Sequence, residues 1–163
     1  MPSPGTYALL LDTIIVTDKT AATFSRVLID GGSRINILYK DTADKLNITT
    51  QHLEPSRTTF HGIVPSLSCV PMGTVQLDVV FGTITNYRRE TITFEEVDHR
   101  SAYHAILGRP ALAKFMAVPH YAYLKMKMPG PYGIITAEGD YRLSIDCASV
   151  GSKMAQALMV PNR

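Results

Sequence analysis

The sequence predicts an all-β fold, and three observations lead to this prediction. Apolar runs rich in β-forming residues recur along the chain, and residues 75–79 alternate cleanly, with Gln76 and Asp78 facing away from the apolar side. The 11 glycines and 10 prolines indicate many turns between these runs. Helical patterns are confined to two short stretches. We therefore expect an all-β domain with one or two short helices.

The first half of the chain predicts a hairpin, a third strand and a short helix. Residues 7–16 form a dense apolar run broken by Asp12, which predicts the first strand. Residues 23–29 alternate and then become wholly apolar, so they predict the returning strand. Strand character resumes over residues 35–39, and residues 41–46 favour a short helix with Asp41 at its N-cap.

The second half predicts further hairpins around one helix. Residues 58–62 and 72–82 predict a long hairpin, and residues 83–94 predict another that turns at residues 86–89. Pro110 suits the first turn of a helix that ends at residues 118–119. Residues 121–128 and 132–137 predict a hairpin joined by a Pro-Gly-Pro turn, and residues 141–145 a last strand.

Composition narrows the classes of function. The 163 residues are enough for one domain with a core that needs no disulfides. A net charge of +2 gives no argument for nucleic acid or a membrane surface as a partner, so neither is expected. Cys69 and Cys147 form no metal motif, and the histidines have no metal-ligand spacing, so no metal and no cofactor are expected. Without a signal peptide or a bilayer-length apolar run, the protein reads as cytoplasmic.

Residues 27–33, with the sequence VLIDGGS, carry one acid from an apolar strand onto a glycine turn. Buried acids are seldom left unpaired, so either Asp30 has a partner or its desolvation serves chemistry. An Asp-Gly-Gly turn is most often only a turn, and both interpretations stay open at this point. Ser33 either bonds the carboxylate or satisfies a backbone group of the turn.

Residues 103–110, with the sequence YHAILGRP, repeat this pattern in weaker form. An apolar strand again runs into a glycine, Gly108, and a short helix follows. The two passages fit a diverged internal duplication, although they share a pattern and not residue identities.

With Asp30-Gly31-Gly32-Ser33 and Ile106-Leu107-Gly108, the sequence resembles the retropepsin-like aspartic proteases, particularly those of plant gypsy-type LTR retrotransposon polyproteins. The likeness covers roughly residues 9–141. It implies a barrel-like half that functions as a homodimer, with one acid from each subunit. By this resemblance the catalytic residue is Asp30, the active-site loop is Gly31, Gly32 and Ser33, the flap that binds substrate includes Phe60, His61, Gly62 and Gly73, and the structural support is Ile106, Leu107 and Gly108.

The resemblance implies an aspartic endopeptidase that acts on peptides or a retroelement polyprotein, in the cytoplasm or within a virus-like particle. We expect the protease domain to span residues 1–146, and residues 147–163 to form a weakly ordered C-terminal tail or linker. For His61 the alternative of an ordinary exposed hairpin residue is favoured.

Two positions depart from the family pattern. Gly31 stands where the family has a Thr or Ser that bonds across the dimer, and Arg34 stands where retroviral relatives have an acid that pairs with the residue matching Arg109. These departures keep a second hypothesis open, a catalytically silent dimerisation or protein-binding module. A third is an unrelated small β-barrel in which Asp30 is a turn residue.

Overall fold

The structure is a computed structural model that describes residues 8–56, 71–99 and 101–139. A single 3-10 turn occurs at Thr50–His52. The helices and strands of these ranges are, in chain order, β1 (Leu10–Val16), β2 (Ala21–Ile29), β3 (Ile37–Tyr39), α1 (Lys40–Lys45), β4 (Pro71–Thr83), β5 (Asn86–Val97), β6 (Ala105–Leu107), α2 (Arg109–Phe115), β7 (Val118–His120), β8 (Lys125–Gly130) and β9 (Gly133–Glu138).

Six of these strands close a barrel in the order β1-β2-β6-β3-β5-β4. Strands β2 and β3 follow one another in the chain but are not neighbours, because β6 lies between them. It runs parallel to β2, with Ile29 opposite Leu107, and antiparallel to β3. The loop that joins β2 to β3 must therefore pass over the end of β6.

The paired ends of β2 and β6, residues 27–29 and 105–107, are buried on both faces. Val27 and Ile29 pack into the main core inside the barrel, whereas Leu28 and Ile106 belong to a second apolar cluster on the opposite face. This explains why these two segments are wholly apolar and do not alternate, since a strand segment covered on both sides has no solvent-facing positions.

The remaining strands, β7, β8 and β9, form a small antiparallel sheet. Met126, Met128 and Ile135 point from it into the main core, and their neighbours along each strand are exposed. Arg88 of β5 fixes this sheet and the end of α2 to the barrel, since its guanidinium donates to the carbonyl oxygens of Phe115 at 2.6 Å and Pro129 at 3.4 Å.

The predicted all-β class with two short helices is confirmed. Several local predictions were wrong. Residues 121–124 form a turn instead of the start of a strand, and the chain after α2 contributes β7. Helix α1 begins at Lys40 with Tyr39 at its N-cap, so Asp41 lies in the first turn.

The hairpin predicted to turn at residues 86–89 turns at residues 84–85, because the 86–89 segment is already paired in the β4–β5 ladder. The predicted strands at residues 58–62 and 141–145 and the domain boundary at residue 146 lie outside the described residues. In the described ranges no helix is both long and apolar enough to cross a bilayer.

A clamp between Arg26 and His104 joins β2 to the chain entering β6, just before the paired residues Val27 and Ala105. The His104 Nδ1 atom accepts from the Arg26 backbone N–H at 3.1 Å, and the His104 N–H donates to the Arg26 carbonyl at 2.8 Å. Burial, and then the charges of Arg26 and Lys45, lower the pKa of His104 to about 4. The folded protein therefore holds this imidazole neutral.

The His104 clamp predicts acid sensitivity. The unfolded chain takes up this proton near the ordinary pKa of 6.5 and the folded chain near 4, so stability is lost as the pH falls between these values. The loss should be roughly 1–3 kcal/mol after allowance for solvent screening of the half-buried ring. His104→Gln keeps an acceptor without a titrating ring, so we expect its melting temperature to fall less between pH 7 and pH 4.5. An equal fall in both proteins would contradict this.

Candidate active site

Asp30 lies immediately after β2, at the carboxyl ends of the parallel strands β2 and β6. Its backbone N–H donates to the Leu107 carbonyl at 3.0 Å, and its own carbonyl accepts from the Ser33 N–H at 3.1 Å. The carboxylate Oδ1 accepts from the Gly32 N–H at 3.0 Å. The side chain is partly exposed. These bonds fix the acid on a tight turn and leave it accessible from outside the barrel.

Gly108 ends β6 directly beneath this turn. A Cβ atom at residue 108 would overlap the backbone carbonyl oxygens of Ile35 and Ser33, the latter at 2.7 Å. The next residue, Arg109, donates its N–H to the Ser33 carbonyl at 2.8 Å. The predicted support residues Ile106, Leu107 and Gly108 are thus brought against the loop that carries Asp30.

Asn36 holds the far side of the loop, and sequence reasoning missed it. Its buried side chain accepts from the Gly108 N–H at 2.8 Å and donates to the Thr93 carbonyl at 3.1 Å. The amide therefore links β6 to β5 beneath the turn. The available signal was an amide between two isoleucines in a predicted core strand, since buried polar groups are retained where they are hydrogen-bonded.

The Ser33 hydroxyl is not bonded to the Asp30 carboxylate. Its hydroxyl donates to the Ile35 carbonyl at 2.7 Å. Of the two interpretations that the sequence left open, the structure supports the one in which Ser33 satisfies the backbone of the turn.

The predicted flap falls mostly outside the described residues, which include none of Phe60, His61 and Gly62. Gly73 is described, and it is buried with φ of 150°. A Cβ atom there would lie 2.7 Å from the Glu54 carbonyl oxygen. Since Glu54 and Thr74 exchange backbone hydrogen bonds of 2.9 and 2.8 Å, this close approach of two backbones accounts for the glycine.

Arg34 and Arg109 flank the loop as two exposed cations. The bond between Arg109 N–H and the Ser33 carbonyl makes the two backbones neighbours. In residues 8–56, 71–99 and 101–139, no carboxylate forms an ion pair with either guanidinium. The described part of the chain also has no group of three or more His, Cys, Asp or Glu side chains that could hold a metal ion.

Tyr121 contacts the loop from the small sheet. Its hydroxyl oxygen accepts from the Gly31 N–H at 3.0 Å. The sequence predicts a strand over residues 121–128, whereas Tyr121 lies in the turn between β7 and β8. No local pattern marks this contact, because its two partners are 90 positions apart.

No family model and no curated protein matches the chain. Among solved structures, it is similar to the crystal structure of the retroviral protease-like domain of Ddi1 from Leishmania major. The two chains are 12% identical, with a TM-score of 0.48, and the match covers 79% of this chain and 88% of that one.

Gly108 is expected to be essential for stability. Its φ of −92° suits any residue, so Gly108→Ala tests only the space beneath the loop. Because the obstructing atoms are backbone carbonyls, we expect a loss near the upper end of ~1–3 kcal/mol in the free energy of unfolding, measured by urea denaturation. Gly32→Ala is the control, since its Cβ would meet only the Asp30 carboxylate at 3.3 Å. Equal losses in the two variants would contradict the steric explanation.

Proposed function

We propose that this chain is the subunit of a homodimeric aspartic endopeptidase of the retropepsin type. The observation that carries the proposal is the placement of Asp30. A partly exposed carboxylate lies on a backbone-bonded turn, at the carboxyl ends of two parallel strand segments that are buried on both faces. Catalytic groups work best on such rigid supports, because their geometry must be held before substrate arrives.

The order of motifs along the chain supports the same proposal. The Asp-Gly-Gly-Ser turn and the Ile-Leu-Gly strand, which the sequence resemblance pairs, lie side by side, with Gly108 under Ser33. Since they are separated by more than seventy residues in the chain, this contact is a property of the fold and not of local sequence.

The chemistry follows from pairing two such acids. Each chain supplies Asp30, so a second copy is required to bring two carboxyl groups together, and close carboxylates share one proton. The ionised group takes a proton from a water molecule whose oxygen attacks the peptide carbonyl carbon. The protonated group donates to the developing oxyanion. Transfer of a proton to the amide nitrogen then lets the C–N bond break.

The substrate class that fits this arrangement is an extended peptide. A peptide lying across the two loops gains affinity through backbone hydrogen bonds and selectivity through alternate side chains. We propose a retroelement polyprotein as the natural substrate, with maturation in the cytoplasm or within a virus-like particle, on the strength of the sequence motifs.

The test of catalysis compares the wild type with Asp30→Asn, which keeps the size of the side chain and its acceptor for the Gly32 N–H. Both proteins are incubated with a peptide library, and cleavage is followed by mass spectrometry. We expect cleavage by the wild type and a loss of about 10³-fold or more in the variant, as for removal of an essential nucleophile-activating group. Matching melting temperatures control for folding. Equal cleavage by the wild type and Asp30→Asn would contradict the proposal.

A second candidate is a dimerisation or protein-binding module that does not cleave. The observation that favours it is the pair of exposed cations, Arg34 and Arg109, on adjacent backbone segments. Like charges beside the loop oppose the close approach of two Asp30 loops, which cleavage requires but association through another surface does not. A stable dimer that cleaves nothing, with or without Asp30, would support this candidate.

The charge at Arg34 is expected to limit self-association. Arg34→Asp places an acid beside Arg109, so we expect the dimer dissociation constant to fall by about 3–10-fold at low salt, an effect typical of one charge pair. Sedimentation equilibrium measures it. Lys19→Asp, in the exposed β1–β2 turn, makes the same change in net charge away from the loop and serves as control. Equal effects of both variants would show that only net charge matters.

A further inference from the structure

We propose that Tyr121 is a positioning residue that braces the Asp30 loop from within the same subunit. The inference rests on the proposed function for its catalytic consequence and on geometry for the brace itself. The hydroxyl oxygen of Tyr121 stands 3.0 Å from the Gly31 nitrogen and accepts its N–H. It thereby ties the small β7-β8-β9 sheet to the turn that carries the acid.

The other N–H groups of the turn are satisfied by the barrel or by the turn itself. Asp30 N–H donates to Leu107, Gly32 N–H to the Asp30 carboxylate, and Ser33 N–H to the Asp30 carbonyl. Among these four N–H groups, that of Gly31 donates to a residue outside the barrel, Tyr121. A partly buried N–H that loses its acceptor is costly, so the peptide unit between residues 30 and 31 is held by Tyr121.

The orientation of that peptide unit matters to the acid. It contains the Asp30 carbonyl, which accepts from Ser33, and it sets the backbone angle from which the carboxylate projects. If the unit rotates, the Ser33 bond is lost and the carboxylate moves away from the Gly32 N–H. Tyr121 therefore affects catalysis by fixing the direction in which the Asp30 carboxylate projects.

The absence of a side chain at residue 31 is explained by the same contact. A Cβ atom there would stand 3.3 Å from the Tyr121 hydroxyl and 3.9 Å from Leu112. The first distance is tighter than ordinary van der Waals contact, so a side chain at this position and the Tyr121 hydroxyl compete for one space. We call Gly31 and Tyr121 a matched pair, because the missing side chain of Gly31 leaves room for the Tyr121 hydroxyl that accepts its N–H.

Tyr121→Phe removes the acceptor and keeps the ring. In the wild type and this variant, exchange of the Gly31 amide proton is measured by NMR. We expect exchange to become about tenfold faster in Tyr121→Phe, the factor that an ordinary hydrogen bond is worth. Tyr123→Phe is the matched control, because the Tyr123 side chain is 73% exposed and its ring stacks on His120. Unchanged exchange in Tyr121→Phe overturns the proposal.

Activity provides the second readout. Tyr121→Phe should lower kcat about tenfold with KM nearly unchanged, since a misaimed acid affects the transition state more than peptide binding. Tyr123→Phe should keep wild-type kcat. A loss confined to KM, or an equal kcat loss in Tyr123→Phe, overturns the positioning role. If the wild type cleaves nothing, the proposed function fails, and the Gly31 exchange rate alone still decides whether the brace exists.

The matched pair is tested by a double-mutant cycle. Gly31→Ser alone should speed exchange of the residue 31 amide, because its side chain displaces the Tyr121 hydroxyl. Added to Tyr121→Phe, the same change should have a smaller effect, since the competing hydroxyl is gone. Strictly additive effects would contradict a shared space.

Discussion

The contact between Gly108 and the carbonyl oxygens of Ser33 and Ile35 is the constraint on which the architecture depends. Parallel strands need a long connection, and here everything from β3 to β5 lies between β2 and β6 in the chain. This long connection allows β6 to return between β2 and β3. The loop that joins β2 to β3 must then pass over the end of β6. A glycine without a Cβ leaves that space, and the Asn36 amide bonds the strand end in place.

Burial on both faces turns this contact into a rigid support. Val27 and Ile29 face the barrel core, and Leu28 and Ile106 face the outer cluster, so β2 and β6 cannot shift without exposing apolar surface on one side. The polar loop at their carboxyl ends is held to this rigid support, because the Asp30 N–H donates to the Leu107 carbonyl. The core thus fixes the point from which the Asp30 side chain projects.

The sequence predicts these strands because burial leaves a local record. The run VLI before Asp30 and the run AIL before Gly108 are recognisable as strands without knowledge of their partners. Asn36 left only the signal of an amide between two isoleucines, and Tyr121 left none, since their bonds to Gly108 and Gly31 span 72 and 90 positions. Strand β7 was missed for a related reason: its three residues follow a helix, and their pairing with β8 outweighs the proline at residue 119. Long-range side-chain contacts are what sequence patterns omit.

The same pair of strands also links the chemistry to acid stability. Arg26 and His104 lie just before the segment over which β2 pairs with β6, and Asp30 lies just after it, about 13 Å away along four residues. A carboxylate pair that shares one proton works only at a pH low enough to keep that proton. Lowering the pH also protonates His104, whose pKa is lowered to about 4 in the fold by burial and then by the charges of Arg26 and Lys45. Burial raises the pKa of Glu96, so this group gains a proton in the folded state and offsets part of the loss. In the protease that we propose, protonation of His104 therefore opposes folding at the low pH that a shared proton requires.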